Sequence, residues 1–170
     1  IPQDWPSHNM LAEALQTPDL SLRLDRVAHW MDPDAFLHFM AMEVILGHRD
    51  GYSMARNNFR ICYSARTGQF LFLPQGMDQL LGTPELTWKP DMAGLTARAL
   101  LEIPEILPRY RARLTTLVTN EISLPETLKA LNARSNTIQS SLKAEERPAF
   151  RTALEQLRQN LSRRLTSLRD

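Results

Sequence analysis

The stretch from Gly47 to Gly82, GHRDGYSMARNNFRICYSARTGQFLFLPQGMDQLLG, constrains the fold more than any other part of this chain. Phe59, Ile61 and Tyr63 alternate with Arg60 and Cys62, which is the period of a half-buried strand. Ala65-Arg66-Thr67-Gly68 reads as a turn, with glycine at the position that favours a positive φ. Gln69 to Leu73 supplies a second strand, and Pro74 ends it. Helical patterning fills the chain on both sides. The expectation is an α+β protein, mainly α: a helical body holding one β-hairpin, followed by a C-terminal helical hairpin.

The turn also sets a register. With Ser64 facing Gln69, Asn58 falls opposite Gln75. A strand rises about 3.3 Å per residue, so the chain runs out roughly 20 Å and returns. Asp50 and Asp78, 28 positions apart, are thereby brought back to one neighbourhood together with Asn57 or Asn58. Two acids and an amide at the root of a hairpin suit a site for a metal ion and a phosphate, because hard cations take oxygen ligands.

The N-terminal third is expected to be helical. Ser7 reads as a cap for a helix from His8 to Gln16, and Asp19 or Ser21 as the cap of the next. Asp32-Pro33 opens a stronger helix, Asp34 to Leu46, which is apolar nearly all round and therefore the most buried of the chain. Glu43 and His38 are its exceptions. A buried Glu43 needs a partner and is read as structural; His38 has no second histidine at ligand spacing and is read as a satisfied, half-exposed residue. Beyond Gly82, Trp88 is expected to pack over the core. Helices follow from Met92 to Ile103, from Glu105 to Glu121, after Pro125, and from about Arg147 to Leu168. In the last, Phe150, Leu154, Leu157, Leu161, Leu165 and Leu168 form a narrow apolar seam, expected to pack on the preceding helix.

Composition narrows the class. With 170 residues, 43% of them hydrophobic, the chain can bury a sizeable core, and no run of about 18 apolar residues is present to span a membrane. Cys62 is the single cysteine, so no internal disulfide forms; its place in a strand suggests a small buried thiol. The start at Ile-Pro suggests a chain processed or excised from something longer. A net charge of +1 hides an asymmetry, −4 for residues 1–97 and +5 for residues 98–170. Glutamates interleave the basic helices, which reads as solvated faces and not as a nucleic-acid surface.

His48-Arg49-Asp50 matches the three letters of the protein-kinase catalytic loop, whose aspartate accepts the substrate hydroxyl proton. That loop places a metal-binding Asn five residues after the Asp; here the position is Ala55, so the ordinary kinase pattern fails. The longer run AMEVILGHRDGYSMARNNFRICYSARTGQFLFLPQGMDQLLG resembles the core of the CotH kinase family, the spore-coat-protein-H-like atypical protein kinases. The resemblance is carried by Asp50-Gly51-Tyr52, Asn57-Asn58-Phe59, Thr67-Gly68, Phe72-Leu73-Pro74 and Asp78, about a quarter of the chain.

The resemblance implies the helical C-terminal lobe of a protein-kinase-like fold that transfers the γ-phosphate of ATP to Ser or Thr hydroxyls of a protein substrate. It implies Asp50 as the catalytic aspartate, Asn58 as a ligand of Mg²⁺ or Mn²⁺ with Asn57 in reserve, and Asp78 as the second metal ligand. Residues 1–90 would be the catalytic-lobe core and 91–170 a helical extension of the same domain. Many members of the family carry Asp-x-Asp where this chain has Gly76-Met77-Asp78. Lys89, Lys129 and Lys143 all follow the site, and no glycine-rich loop precedes it. The nucleotide-binding N-terminal part is therefore expected to lie outside these 170 residues, and the chain alone to be inactive. Members of the family are commonly envelope or secreted proteins. Two other functions are compatible with the sequence: a catalytically inactive CotH-like scaffold or binding module, and a helical interaction protein in which the HRD triplet is coincidental.

Overall fold

The computed structural model describes residues 8–169, and Ser7, read as a helix cap, lies outside them. The protein is α+β and mainly helical. Helices α1 (His8–Leu15), α2 (Leu20–Trp30) and α3 (Pro33–Ile45) lead to a one-turn helix α4 (Tyr52–Ala55) and a two-stranded antiparallel sheet, β1 (Phe59–Ser64) and β2 (Gln69–Pro74). A 3₁₀ turn at Met77–Gln79 follows, then α5 (Leu95–Leu101), α6 (Ile106–Thr116) continuing into a π-helical turn (Leu117–Glu121), α7 (Leu124–Ser141) and α8 (Arg147–Ser167).

The starts of these helices are chemically marked. Asp19 accepts from the Ser21 amide at the start of α2, and Asp32 accepts from the Asp34 and Ala35 amides at the start of α3, where Pro33 occupies the first turn. Ser123 caps α7 ahead of Pro125 in the same way. Eight residues of α3 are buried, among them Phe36, Met40 and Val44, and the helix packs against α6 and β2. It is the axis of the core.

The hairpin has the register expected from its turn: Ser64 pairs with Gln69 and Phe59 with Pro74. Gly68, at φ 71°, donates its amide to the Ser64 carbonyl and closes the turn. A lone hairpin is marginal in water. This one is held by an aromatic cluster in which the Phe72 ring lies 4.7 Å from Tyr52 and 5.0 Å from Phe36, centroid to centroid. Burying each such ring contributes roughly 1.5–3 kcal/mol.

Three features depart from the sequence reading. Cys62 is exposed, not buried, because it shares the outer face of β1 with Arg60 and pairs with the equally outward Leu71. The helix expected over Met92–Ile103 is shorter, beginning only after Gly94. In α8 the buried side chains are Leu161, Arg164 and Leu165, while Phe150, Leu154 and Leu157 are only half-buried. Trp88 packs as expected, stacked on Tyr110 with the Arg111 guanidinium 5.1 Å above its ring.

Candidate functional site

The loop after α3 is built on Glu43. Gly47 takes φ 62° and turns the chain out of the helix. The His48 amide then donates to the Glu43 carbonyl at 2.8 Å, and the Gly51 amide to the His48 carbonyl at 2.9 Å. The Glu43 side chain is 3% exposed. Its Oε1 accepts from the Tyr52 amide at 2.8 Å and its Oε2 from the Ser53 amide at 2.9 Å, which places a carboxylate at the start of α4. Burial raises the Glu43 pKa above the usual carboxylate range, against the pull of these donors. Gly51 is required here: a Cβ would stand 2.2 Å from Glu43 Oε1 and 2.6 Å from His48 Cδ2.

After α4 the chain reverses through Arg56 at φ 57° and Asn58 at φ 44°, a left-handed region that Asn tolerates better than most residues. This reversal aims both asparagines at Asp50. Asn57 Nδ2 donates to Asp50 Oδ1 at 3.0 Å, and Asn58 Nδ2 to Asp50 Oδ2 at 2.6 Å. The Gln75 amide donates to the Asn58 carbonyl at 2.9 Å, continuing the hairpin ladder to its root. His48, buried, is 3.1 Å from the Gln75 carbonyl through Nε2 and ties the Asp50 loop to the chain leaving β2.

Of the four sequence-predicted residues, the structure therefore joins Asp50, Asn57 and Asn58 directly. Asp78 stands in the exposed 3₁₀ turn, and no hydrogen bond or ion pair links it to the other three among the described residues. Its backbone is nonetheless close. Gly76 lies against Asn58, since a Cβ there would be 2.7 Å from Asn58 Cγ, and two further residues span at most about 7 Å. Gly76, at φ 59°, thus leaves room for Asn58 to reach Asp50. The missing side chain at position 76 is the space that the asparagine uses.

Asp50 opens onto a cleft of about 560 Å³. Gly47, Arg49 and Asp50 form one wall; Gln79, Leu80, Gly82 and Thr83 form the other. The two walls are joined by the Leu81 amide, which donates to the Leu46 carbonyl at 2.8 Å. The donors on offer at the root of the hairpin are carboxylate and amide oxygens, a set that fits a hard divalent cation. Among the described residues no group of three or more His, Cys, Asp or Glu side chains stands together to hold a metal, so a cation here would need the amide oxygens as well.

Residues that sequence reasoning passed over are His48 as a tie between the loops, and Asn160 and Arg164 of α8. Arg164 is fully buried and donates to the carbonyls of Val44 at 2.6 Å and Ile45 at 3.2 Å, and to those of Pro84 at 3.3 Å and Leu86. Burial pushes its pKa down to about 10, opposed by the nearby Tyr110 and Glu85, so it remains a cation at neutral pH. The carbonyls at the C-terminal end of α3 supply the negative pole that receives this charge. Compared with known proteins, the chain matches no family model and no curated relative.

Proposed function

We propose that this chain is the C-terminal, catalytic-lobe part of an atypical phosphotransferase of the CotH type, acting with ATP and Mg²⁺ or Mn²⁺ on Ser or Thr hydroxyls of a protein. The observation that supports this reading best is the convergence of Asp50, Asn57 and Asn58 on the rim of a cleft, on a loop fixed by a buried carboxylate. Asp50 would accept the proton of the acceptor hydroxyl. The two asparagine amides hold both of its oxygens, which orients the carboxylate before any substrate arrives. Asn58 and Asp78, with Asn57 in reserve, would hold the cation, and Arg49 on the cleft wall would face the phosphates. When bound, the cation neutralises charge on the transferring phosphoryl group.

The test is Mn²⁺ titration of ¹⁵N-labelled protein, with and without ATP. Paramagnetic broadening is expected first at the side-chain amides of Asn57 and Asn58 and at the Asp78 backbone amide, and Asp78→Ala should abolish it. Broadening spread over the acidic surface, or unchanged in the variant, would overturn the assignment. The chain alone is expected to show no sustained γ-phosphate transfer, and robust turnover would contradict that part of the reading.

A scaffold or binding module is the second reading. It is favoured by the engagement of both Asp50 oxygens with amide donors and by the lack of a bond from Asp78 to them. It predicts no Mn²⁺-dependent change at either asparagine.

A further inference from the structure

One stripe of α8 is polar and lies along the cleft side of the helix, with Arg164 buried, Asn160 half-buried, and Arg163 and Ser167 exposed at its edge. Asn160, Arg163, Arg164 and Ser167 follow at intervals of three, one and three residues, the spacing of a single helix face. Each bonds to the segment behind the second wall of the cleft. Asn160 Nδ2 donates to the Leu81 carbonyl at 3.0 Å, Arg163 pairs with Glu85, and the Ser167 hydroxyl donates to the Pro84 carbonyl at 3.0 Å. Arg164 reaches the segments that carry both walls, with Pro84 and Leu86 just beyond one and the last carbonyls of α3 just ahead of the other.

We infer that α8 sets the width of the cleft, with Arg164 as the positioning residue that clamps the end of α3, which leads into the Gly47–Asp50 wall, to the 84–86 segment that leaves the other wall. The chemistry favours an arginine for this task. A planar guanidinium with five N–H donors can serve carbonyls on two separate segments at once. A lysine offers one ammonium point and cannot span both. An apolar side chain would remove a donor from all four carbonyls; Val44 would keep the Gly47 amide and Pro84 the Ser167 hydroxyl, so the loss falls on Ile45 at the end of α3 and on Leu86. A helix fixed only by its leucines could slide without disturbing the cleft; one whose polar face is bonded to the segments that carry both walls cannot. What the cleft binds rests on the phosphotransferase reading, but the clamp does not.

Amide hydrogen exchange tests it, because the Leu81 amide that bridges the walls is a direct reporter. Arg164→Met is compared with Arg23→Met, which removes another buried arginine bonded to backbone carbonyls, those of Thr17 and Ala99, away from the cleft. Arg164→Met should speed exchange at Leu81 and around Asp50 by at least about tenfold relative to Arg23→Met, with Arg164→Lys between it and wild type. Asn160→Ala, a milder change on the same stripe, should loosen Leu81 as well and decides the matter if Arg164→Met does not fold. Exchange that rises evenly along the chain, or no more at Leu81 than in Arg23→Met, would overturn the inference. Mn²⁺ affinity provides the second arm. If wild type binds, Arg164→Met should weaken binding while Arg23→Met leaves it unchanged. If wild type does not bind, the phosphate reading fails and the exchange result still stands.

Discussion

Gly51→Ala should be among the most damaging single-methyl additions available to this protein. The new Cβ would lie 2.2 Å from Glu43 Oε1, 2.9 Å from Glu43 Cδ and 2.6 Å from His48 Cδ2. All three are far inside van der Waals contact, and the Glu43 side chain is walled in by the core. Relief requires the carboxylate to leave the Tyr52 and Ser53 amides. A hydrogen bond to a charged group is worth about 1.5–3 kcal/mol, and a buried charge stripped of its donors costs more than the bonds alone. The loss is therefore about 3–5 kcal/mol, a large share of the 5–15 kcal/mol that holds a typical domain, or roughly 6–20 °C in Tm at this length.

The assay is urea unfolding within a double-mutant cycle. Glu43→Ala removes the atoms that the methyl strikes, so Gly51→Ala in that background should cost about 1–2 kcal/mol, the residue of the His48 contact. Equal costs in the two backgrounds would refute the argument that the glycine exists to admit the carboxylate. So would a cost below about 1 kcal/mol in the wild-type background.

Other perturbations probe neighbouring links. Burial raises the Glu43 pKa above its ordinary value near 4.5, so at this residue the folded chain binds more protons than the unfolded one. Its contribution to stability is complete below that value and declines as pH rises through the folded pKa; unfolding free energies between about pH 4 and 8 should show wild type losing ground against Glu43→Gln, and parallel curves would refute this. Gly76→Ala pairs a left-handed φ with a Cβ 2.7 Å from Asn58, so it should cost about 1–2 kcal/mol and detach the Asn58 amide from Asp50, seen as a shift of its side-chain NH₂ resonances; unmoved resonances would count against the contact.

Much of this could be read before any coordinates. The alternation of Phe59, Ile61 and Tyr63 and the glycine-ended turn were enough for the register, because side-chain period and turn length are local properties. Asp32-Pro33 and Pro125 announced their helices for the same reason. Cys62 shows local information misused: the alternation that sends Ile61 inward sends its neighbour outward, and the habit of burying thiols is weaker than that geometry. Glu43 was recognisable as a buried acid needing a partner, yet its partners are backbone amides, which carry no side-chain signature. Arg164 was illegible for a related reason. An arginine among arginines on a helix reads as solvated, and only the tertiary placement of α3 and the Pro84–Leu86 segment reveals carbonyls awaiting it.

The bond from Arg164 to Val44 closes a loop of 120 residues. Local elements such as the hairpin form from neighbours and need little of the chain, whereas a contact of such separation is late and slow. During synthesis, at about 5–20 residues per second, the Asp50 loop leaves the ribosome several seconds before the helix that braces it. A nascent chain interrupted ahead of α8 would thus carry every acid and amide of the site on an unbraced frame. Synthesis of α8, not the arrival of Asp50, is the moment at which the cleft acquires its shape.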